Sequence, residues 1–408
     1  MKKDNRLLKK NIDYGNIFLL GFSILAVFFI MWTFTGQWPW KGQLYNSYIL
    51  QAQSWLKGRL DLGQNYSYLE LAIKDGKYYV SFPPFPSYLM LPFVLVGWNT
   101  CDSFLALLSA IAGAVYALKI LERLNVRNER AILFAMLLTI GSNWLFTAQN
   151  AWVWFIAQSM SFTLTLMAFY YALNYKAGFS LLCWACAVGC RPFQIIYIVI
   201  ILYILYQEHK KRFPEDKLID IIKKKWYCAI PMLIVALSYM VLNYARFGNP
   251  AEFGHNLLPE HVRSEQGQFN LSYILKNFPS LFTIPKAGDS GKWEYSGFGD
   301  ISIFLVSPIF ISYAVYVIYS LVKKCNKDRV FIFLSLGLII VHFLALSAHV
   351  NLGGSQFGNR YTNDVLPIVL LNIAFLLPEK RSWEKYNAVL LLMGLTINII
   401  GSVLFYAK

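Results

Sequence analysis

The chain has 408 residues, of which 57% are hydrophobic, 17% are aromatic and only 14% are charged. Apolar runs of membrane-spanning length recur from one end to the other, and this excludes a water-soluble globular protein. The net charge of +15 does not indicate a nucleic-acid partner, because most basic residues lie in short segments between apolar runs.

Eleven apolar segments have the character of transmembrane helices. In chain order they lie at 16–34, 103–121, 131–147, 151–174, 178–190, 192–206, 227–245, 301–322, 330–348, 362–377 and 387–406. The segment at 178–190 is shorter than a usual span, so it and the next segment are either two spans or one bent or re-entrant unit. The sequence therefore predicts an all-α polytopic integral membrane protein with about 11 transmembrane helices.

The basic residues predict the orientation of these helices. With the N-terminus in the cytoplasm, 24 of the 37 Lys and Arg residues fall in short inner segments, which is the distribution that the positive-inside rule describes. The first span has no small-residue cleavage site after it, so we expect it to remain as an anchor. Residues 35–102 and 246–300 then form two loops on the outer face.

The first outer loop is closely patterned. Residues 45–58 predict a short helix in the membrane interface, and Asp75-Gly76 suits a type I′ hairpin turn. That turn sets the strand pairs: Leu71 with Val80, Ala72 with Tyr79, Ile73 with Tyr78. Period-two alternation places Glu70 on a polar face, away from Leu71 and Ile73. The prolines of 83–98 predict a juxtamembrane element rather than a span.

This order of elements resembles the GT-C superfamily of membrane glycosyltransferases, which includes the protein O-mannosyltransferases and the lipid A aminoarabinose transferases. The resemblance covers roughly residues 16–245 as topology, and it divides the chain into a GT-C-like module, 1–245, and a segment, 246–408, with the second outer loop and the C-terminal helices. Two further segments, NYARFGNPAEFG at 243–254 and GGSQFGNRYTNDVLP at 353–367, look like patterns in bacterial members.

The resemblance implies an activity and a set of partners. It implies the transfer of a sugar, with inversion, from a polyprenyl-phosphate donor to a glycan, lipid or protein acceptor at the outer face of the bacterial inner membrane. Membrane lipids are then partners and nucleic acid is not. The chain departs from the superfamily at one place, because Leu44 and Tyr45 stand where the usual first-loop acid is expected.

Two first-loop carboxylates are candidates for the general base that such a transfer requires. Glu70 lies on the expected polar face of the hairpin beside Tyr79 and Ser81, and a general base must come within hydrogen-bond reach of the acceptor hydroxyl. Asp61 follows Arg59 and pairs with it in an alternative interpretation. Asp75 is explained by its turn.

Three arginines at the outer ends of spans are candidates for binding the donor phosphate. These are Arg191, Arg246 and Arg360, whose planar guanidinium groups bind phosphate oxygens bidentately; the alternative is contact with lipid headgroups. Asp364 is costly near the membrane without a partner, and Arg360 is four residues away on the same helix. Other substrate-binding candidates are Tyr45, Tyr48, Tyr79, His255 and Asp364.

No metal site and no cofactor are predicted. The second outer loop carries His255, Glu260, His261 and Glu265, but the six-residue gap between the histidines matches neither one helix face nor a common zinc spacing. A divalent metal is therefore a minor alternative.

Two other functions fit the same composition. A transporter or flippase of lipid-linked saccharides would carry ionisable residues along several spans, whereas here they collect at the span ends. A catalytically inactive GT-C-like partner subunit would explain the missing first-loop acid.

Overall fold

The computed structural model describes residues 14–126, 128–264, 266–289, 293–294, 301–323, 328–354, 356–377 and 383–406. These residues are mostly helical and include two short antiparallel sheets of two strands each. Glu265 of the second loop lies outside them.

The helices of the first part of the chain include the long apolar elements and the two short helices of the first loop. They are α1 (Tyr14–Thr35), α2 (Ser47–Leu56), α3 (Phe85–Leu95), α4 (Cys101–Arg123), α5 (Asn128–Leu138), α6 (Trp144–Ala148), α7 (Val153–Leu173), α8 (Ala177–Val188), α9 (Ile198–Arg212), α10 (Leu218–Lys225) and α11 (Ile230–Phe247). Two 3-10 helices, Pro192–Tyr197 and Trp226–Ala229, lead into α9 and α11.

The second part of the chain contains shorter loop helices and the C-terminal spans. They are α12 (Pro259–Val262), α13 (Ser272–Ser280), α14 (Ile303–Val306), α15 (Ile309–Val322), α16 (Arg329–Ser347), α17 (Leu366–Leu376) and α18 (Glu384–Tyr406). Further 3-10 turns lie at His255–Leu257 and Arg360–Asp364. The strands are β1 (Leu71–Lys74), β2 (Lys77–Val80), β3 (Lys286–Ala287) and β4 (Trp293–Glu294).

Within the described part of the chain, seven helices are long and apolar enough to cross a membrane. Their start and end residues are Tyr14–Thr35, Cys101–Arg123, Val153–Leu173, Pro192–Arg212, Leu218–Phe247, Arg329–Ser347 and Glu384–Tyr406. Apolar side chains on α1 and α11 are widely exposed, for example Phe18 at 74% and Ile234 at 63%, which suits contact with lipid rather than water. The polytopic helical class is confirmed.

The count of eleven spans is not confirmed, because several expected spans are short or broken. The segment at 131–147 divides into α5 and α6, where the hydroxyls of Thr139 and Ser142 donate to backbone carbonyls one turn earlier and so compete with the helical ladder. The segment at 178–206 forms two helices, since α8 ends at Val188 and Pro192 starts a 3-10 turn.

The first-loop hairpin has the expected register. Leu71 pairs with Val80, Ala72 with Tyr79, and Ile73 with Tyr78. Asp75 (φ 51°) and Gly76 (φ 70°) both have positive φ, as a type I′ turn requires.

The burial of the two hairpin faces differs from the prediction. Leu71 and Val80 are buried as expected, but Ile73 is 46% exposed, while Ala72 and Tyr79 on the expected polar face are buried. The reason is that α11 and the second loop cover this face through Phe247 and Leu257. The hairpin is therefore packed on both sides.

The core lies where α4, α7, α8 and α17 pack together, around large buried side chains such as Trp144, Phe162 and Phe169. Helix α2 packs on the proline-containing helix α3, through Ile49, Ala52 and Met90. Helices from the two predicted modules also pack on one another, α5 on α18 and α7 on α17. The first loop, the start of α7 and the Arg360–Asp364 turn thus meet at one end of the bundle.

Candidate active site

A cavity of about 650 Å³ lies at this end of the bundle. It is lined by the first loop, the start of α7, the turn after α8, the second loop and residues 346–361. The ionisable side chains that line it include Glu70, Arg191, His255, Glu260 and Arg360. The aromatic side chains that line it include Tyr45, Trp152, Trp154, Phe253 and Tyr361. Of the ten candidate residues, five therefore line a single cavity: Tyr45, Glu70, Arg191, His255 and Arg360.

Glu70 lies immediately before β1 and points to α7. The indole Nε1 of Trp154 donates a hydrogen bond to Glu70 Oε2 at 2.9 Å. Burial raises the pKa of the Glu70 carboxyl above its usual value; the Trp154 hydrogen bond lowers it, the charge of Glu260 raises it further, and the charge of Arg360 lowers it. A carboxylate whose pKa is raised toward neutrality is a better general base than an exposed one.

Arg360 is a buried cation on the cavity wall. Its side chain is 3% exposed, and its Nε and Nη1 atoms make no hydrogen bond to any residue that the structure describes. The guanidinium lies over the rings of Tyr361 (4.5 Å) and Phe155 (5.6 Å). Buried charged groups are normally paired, so these nitrogens are available to an anion.

Arg191 lies beside Arg360 but is held by a carboxylate. Its Nε and Nη2 atoms donate to Asp364 Oδ2 at 3.0 and 2.9 Å, and its guanidinium lies 4.8 Å from the Tyr361 ring. Asp364 Oδ1 accepts a hydrogen bond from Gln158 Nε2 at 2.9 Å. Asp364 thus orients Arg191 from behind the cavity wall.

The helical pairing of Arg360 with Asp364, considered above, is not what the structure shows. The residues between them form a 3-10 turn rather than an α-helix, so their side chains do not share one face. Asp364 instead pairs with Arg191, 173 residues earlier.

Arg246 lies behind the hairpin rather than on the cavity. It is 3% exposed, and it donates to the carbonyl of Val80 (3.2 Å) and to Asn243 Oδ1 (2.8 Å). Its guanidinium also lies over the Phe247 ring. This geometry attaches the hairpin to the end of α11.

The rest of the NYARFGNPAEFG segment folds the second loop against the hairpin. Gly248 ends α11 in the left-handed conformation, which favours glycine. Gly254 (φ +104°) lies so close to the hairpin that a Cβ atom there would be 2.8 Å from the Phe247 ring and 3.1 Å from Ala72 Cβ. Phe253 and His255 are thereby placed on the cavity wall.

Three other candidates do not line the cavity. Asp61 accepts hydrogen bonds from Arg59 (2.7 Å) and the Gly63 amide (2.9 Å), and the Arg59 contact lowers the pKa of its carboxyl, which makes it a weaker base. Tyr79 packs against Phe247. Tyr48 is 2% exposed and packs near Phe82 behind the wall.

Tyr45 and His255 face the cavity on opposite loops. The Tyr45 ring lies 4.9 Å from Trp152 and 5.0 Å from Trp154, so it forms part of an aromatic wall of the kind on which a sugar face stacks. His255 lies between Phe82 and Phe253 and beside two further histidines, His261 and His349.

Several cavity residues were not among the predicted site residues. Trp154 and Tyr361 could not be singled out, because 17% of the residues are aromatic and anchoring at the membrane interface explains most of them. His349 follows α16 and reaches the second loop through the bridge between Phe269 and His349. Gln158 lies near the start of α7 and does not line the cavity, but it holds Asp364 from behind the wall, a contact between positions 206 residues apart. None of these contacts follows from local sequence spacing.

Comparison with known proteins identifies the fold. The crystal structure of ArnT from Cupriavidus metallidurans bound to undecaprenyl phosphate matches with a TM-score of 0.52 and 14% sequence identity, over 97% of this chain and 76% of that chain. The chain has the GT-C fold. No family model and no curated protein sequence matches it.

This likeness confirms the predicted fold, and at 14% sequence identity it shows the fold alone. The first-loop helix, the small hairpin and the juxtamembrane helix are all present. At the position of the usual first-loop acid, Leu44 is 59% exposed and Tyr45 is on the cavity wall. The carboxylates that line the cavity belong to Glu70 and Glu260.

Proposed function

We propose that this chain is an inverting glycosyltransferase of the bacterial inner membrane. It transfers a hexose or pentose from a polyprenyl-phosphate donor to a glycan, lipid or protein acceptor at the outer face, with its N-terminus in the cytoplasm. The observation that carries the proposal is the pairing, in one cavity, of a buried cation with free donors, Arg360, and a partly buried carboxylate, Glu70. The undecaprenyl phosphate bound to ArnT supports the choice of donor.

The reaction is a single displacement at the anomeric carbon. Glu70 accepts the proton of the acceptor hydroxyl, the acceptor oxygen forms a bond to the anomeric carbon, and the bond from that carbon to the phosphate oxygen breaks. The polyprenyl phosphate leaves with the bonding electron pair. Arg360 and Arg191 stabilise the negative charge that develops on the leaving oxygen.

Each cavity residue has a separate part in this scheme. Arg360 supplies free donors, whereas Arg191 is positioned by Asp364 and supplies a fixed charge. Trp154 orients the Glu70 carboxylate through its hydrogen bond. Tyr45 and Trp152 offer faces on which the donor or acceptor sugar stacks.

The test is donor turnover by the full chain in membrane vesicles from producing cells, which supply the acceptor. Synthetic undecaprenyl phosphates carrying labelled pentoses or hexoses are supplied, and release of free undecaprenyl phosphate is measured. We expect turnover of at least one donor, and a loss of at least about a hundredfold in Glu70→Gln, because a general base contributes roughly that much or more.

Two matched variants serve as controls. Asp75→Asn keeps the turn, because Asn-Gly also forms type I′ turns, and Asp61→Asn changes a carboxylate outside the cavity; both should retain activity. Loss of activity in Asp61→Asn with normal turnover in Glu70→Gln would move the base to Asp61. Transport of the intact donor without cleavage would support a flippase, and neither cleavage nor transport would support an inactive subunit.

A further inference from the structure

Three histidines of the cavity wall come together from two distant parts of the chain. His255 and His261 belong to the second loop, and His349 follows α16. One ring nitrogen from each lies within 4.8 Å of the other two. The ring centroids of His255 and His261 are 5.0 Å apart, and those of His261 and His349 are 5.5 Å apart.

The hydrogen bonds of these rings leave ligand atoms free. Within the described part of the chain, His255 Nδ1 and His261 Nε2 are buried and have no hydrogen-bond partner. A buried polar atom without a partner is unfavourable and calls for an explanation. Glu260 Oε1 is 3.7 Å from His261 Nε2, which is too long for a hydrogen bond.

The third ring is oriented as metal-binding histidines are. His349 Nδ1 lies 2.7 Å from the carbonyl oxygen of Asn351, so Nδ1 carries the proton and Nε2 keeps its lone pair. This short contact outweighs the longer, 3.3 Å approach of the Asn351 amide to the same nitrogen. A backbone carbonyl that accepts from the second ring nitrogen is the usual support of a histidine ligand. Gln268 Nε2 donates to His349 Nε2 at 3.1 Å and is the group that a metal would displace.

The position of the rings keeps them neutral, and the neutral ring is the form that binds metals. Burial, together with the neighbouring histidines, lowers the pKa of His255 to about 3. Burial also lowers the pKa of His349 to about 4 and lowers that of His261. The lone pairs of His255 Nδ1 and His261 Nε2 have no hydrogen-bond partner among the described residues, and that of His349 Nε2 becomes free when Gln268 is displaced.

We propose that His255, His261 and His349 bind one divalent transition-metal ion of the zinc type, with its fourth coordination position open to the cavity. Three imidazoles with an open position form a common catalytic zinc site. The nitrogen atoms need to approach by about an ångström to reach zinc–nitrogen bonds of about 2.0–2.1 Å. The open position faces the same cavity as Glu70 and Arg360, so it would take an oxygen of a phosphate or a hydroxyl group.

The test measures metal binding by the purified full chain without donor or acceptor, so its result is independent of the transferase activity. After treatment with a chelator, the chain is titrated with Zn²⁺ by calorimetry and with Co²⁺ by visible absorption. We expect one ion per chain and the intense visible bands of four-coordinate Co²⁺. Each of His255→Ala, His261→Ala and His349→Ala should weaken binding by at least about a hundredfold, since even outer-sphere partners contribute about ten- to a hundredfold.

Two variants separate ligation from folding. His209→Gln changes a histidine whose two ring nitrogens already contact Tyr175 and Asp216, and it should bind metal as the wild type does. Gln268→Ala removes the competing donor without removing a ligand, and it should bind at least as tightly. A chain that binds no ion, binds it equally after the three histidine substitutions, or loses it equally in Gln268→Ala would overturn the proposal.

Discussion

The environment of Glu70 is set by three neighbours with opposite effects on its charge. Burial disfavours the carboxylate, the Trp154 hydrogen bond and Arg360 favour it, and Glu260 disfavours it. Since a general base must be deprotonated, activity should fall as the pH decreases through the raised pKa of Glu70. In the proposed reaction these neighbours would determine the acidic limit of the pH profile.

Two substitutions should move this limit in opposite directions. Trp154→Phe removes a donor that stabilises the carboxylate, so the pKa of Glu70 rises and the acidic limb of kcat/KM moves to higher pH. Glu260→Gln removes a negative charge, so the pKa falls and the limb moves to lower pH. The pH dependence of kcat/KM in both variants checks the signs. Movement in the same direction, or no movement in either, would contradict the assignment of Glu70 as the titrating base.

At the residue scale, the sequence predicts contacts well where local geometry determines them. Glu70 could be located because Asp75-Gly76 determines the hairpin register. The pairing of Arg191 with Asp364 could not be predicted, because it depends on how two distant spans pack. Tyr48 and Arg246 were plausible from their places at the ends of elements, but the end of an element does not show which way a side chain faces.

At the scale of elements, the hairpin and α11 act as one unit. Arg246 donates to the Val80 carbonyl, and the Lys74 ammonium contacts the Phe247 carbonyl across the same junction. Because β1 follows Glu70 directly, the position of the Glu70 side chain depends on this junction. Arg246 therefore helps to position the hairpin beside the cavity without lining the cavity itself.

The variant Arg246→Met should loosen the hairpin. It keeps an apolar stem but leaves the Val80 carbonyl and Asn243 Oδ1 without their donor, which costs about 1–3 kcal/mol of stability. We expect a lower melting temperature and faster proteolysis in the first loop. Arg59→Gln, which changes an arginine whose side chain is 50% exposed, is the matched control. Unchanged stability combined with loss of undecaprenyl phosphate binding would instead indicate direct phosphate contact.

At the scale of the whole molecule, the distribution of basic residues among the loops predicts the orientation of the protein in the membrane. Asp289 is in the second loop, and Glu215 is in the charged segment between α9 and α10; both are exposed. The positive-inside rule places Glu215 in the cytoplasm. The same rule predicts that the cavity opens to the outer face.

Cysteine labelling tests this orientation. In an otherwise cysteine-free chain, Asp289→Cys should react with a membrane-impermeant maleimide in intact cells, and Glu215→Cys should react only after the cells are opened. The difference should be nearly complete, because the reagent does not cross the bilayer. The reverse pattern would invert the topology and place the cavity in the cytoplasm.

The architecture was more predictable than the cavity. Hydrophobic length and basic loops are strong local signals, so the helical class and the first-loop elements could be predicted. The break between α5 and α6 was missed because hydroxyl side chains, rather than charges or prolines, interrupt that segment. The histidine cluster was missed because it joins loops about 90 residues apart. The periodicity of a sequence shows only contacts between residues that are close along the chain.

The two arginines that line the cavity differ in their hydrogen bonding, and this difference has a consequence for anion binding. Arg191 is already paired with Asp364, whereas Arg360 keeps a buried charge without a hydrogen bond from Nε or Nη1 to any described residue. Taking such a charge out of water is unfavourable until an anion compensates it. An anion bound at Arg360 should therefore stabilise the protein, and in the proposed reaction the released lipid phosphate and the next donor would compete for this one position.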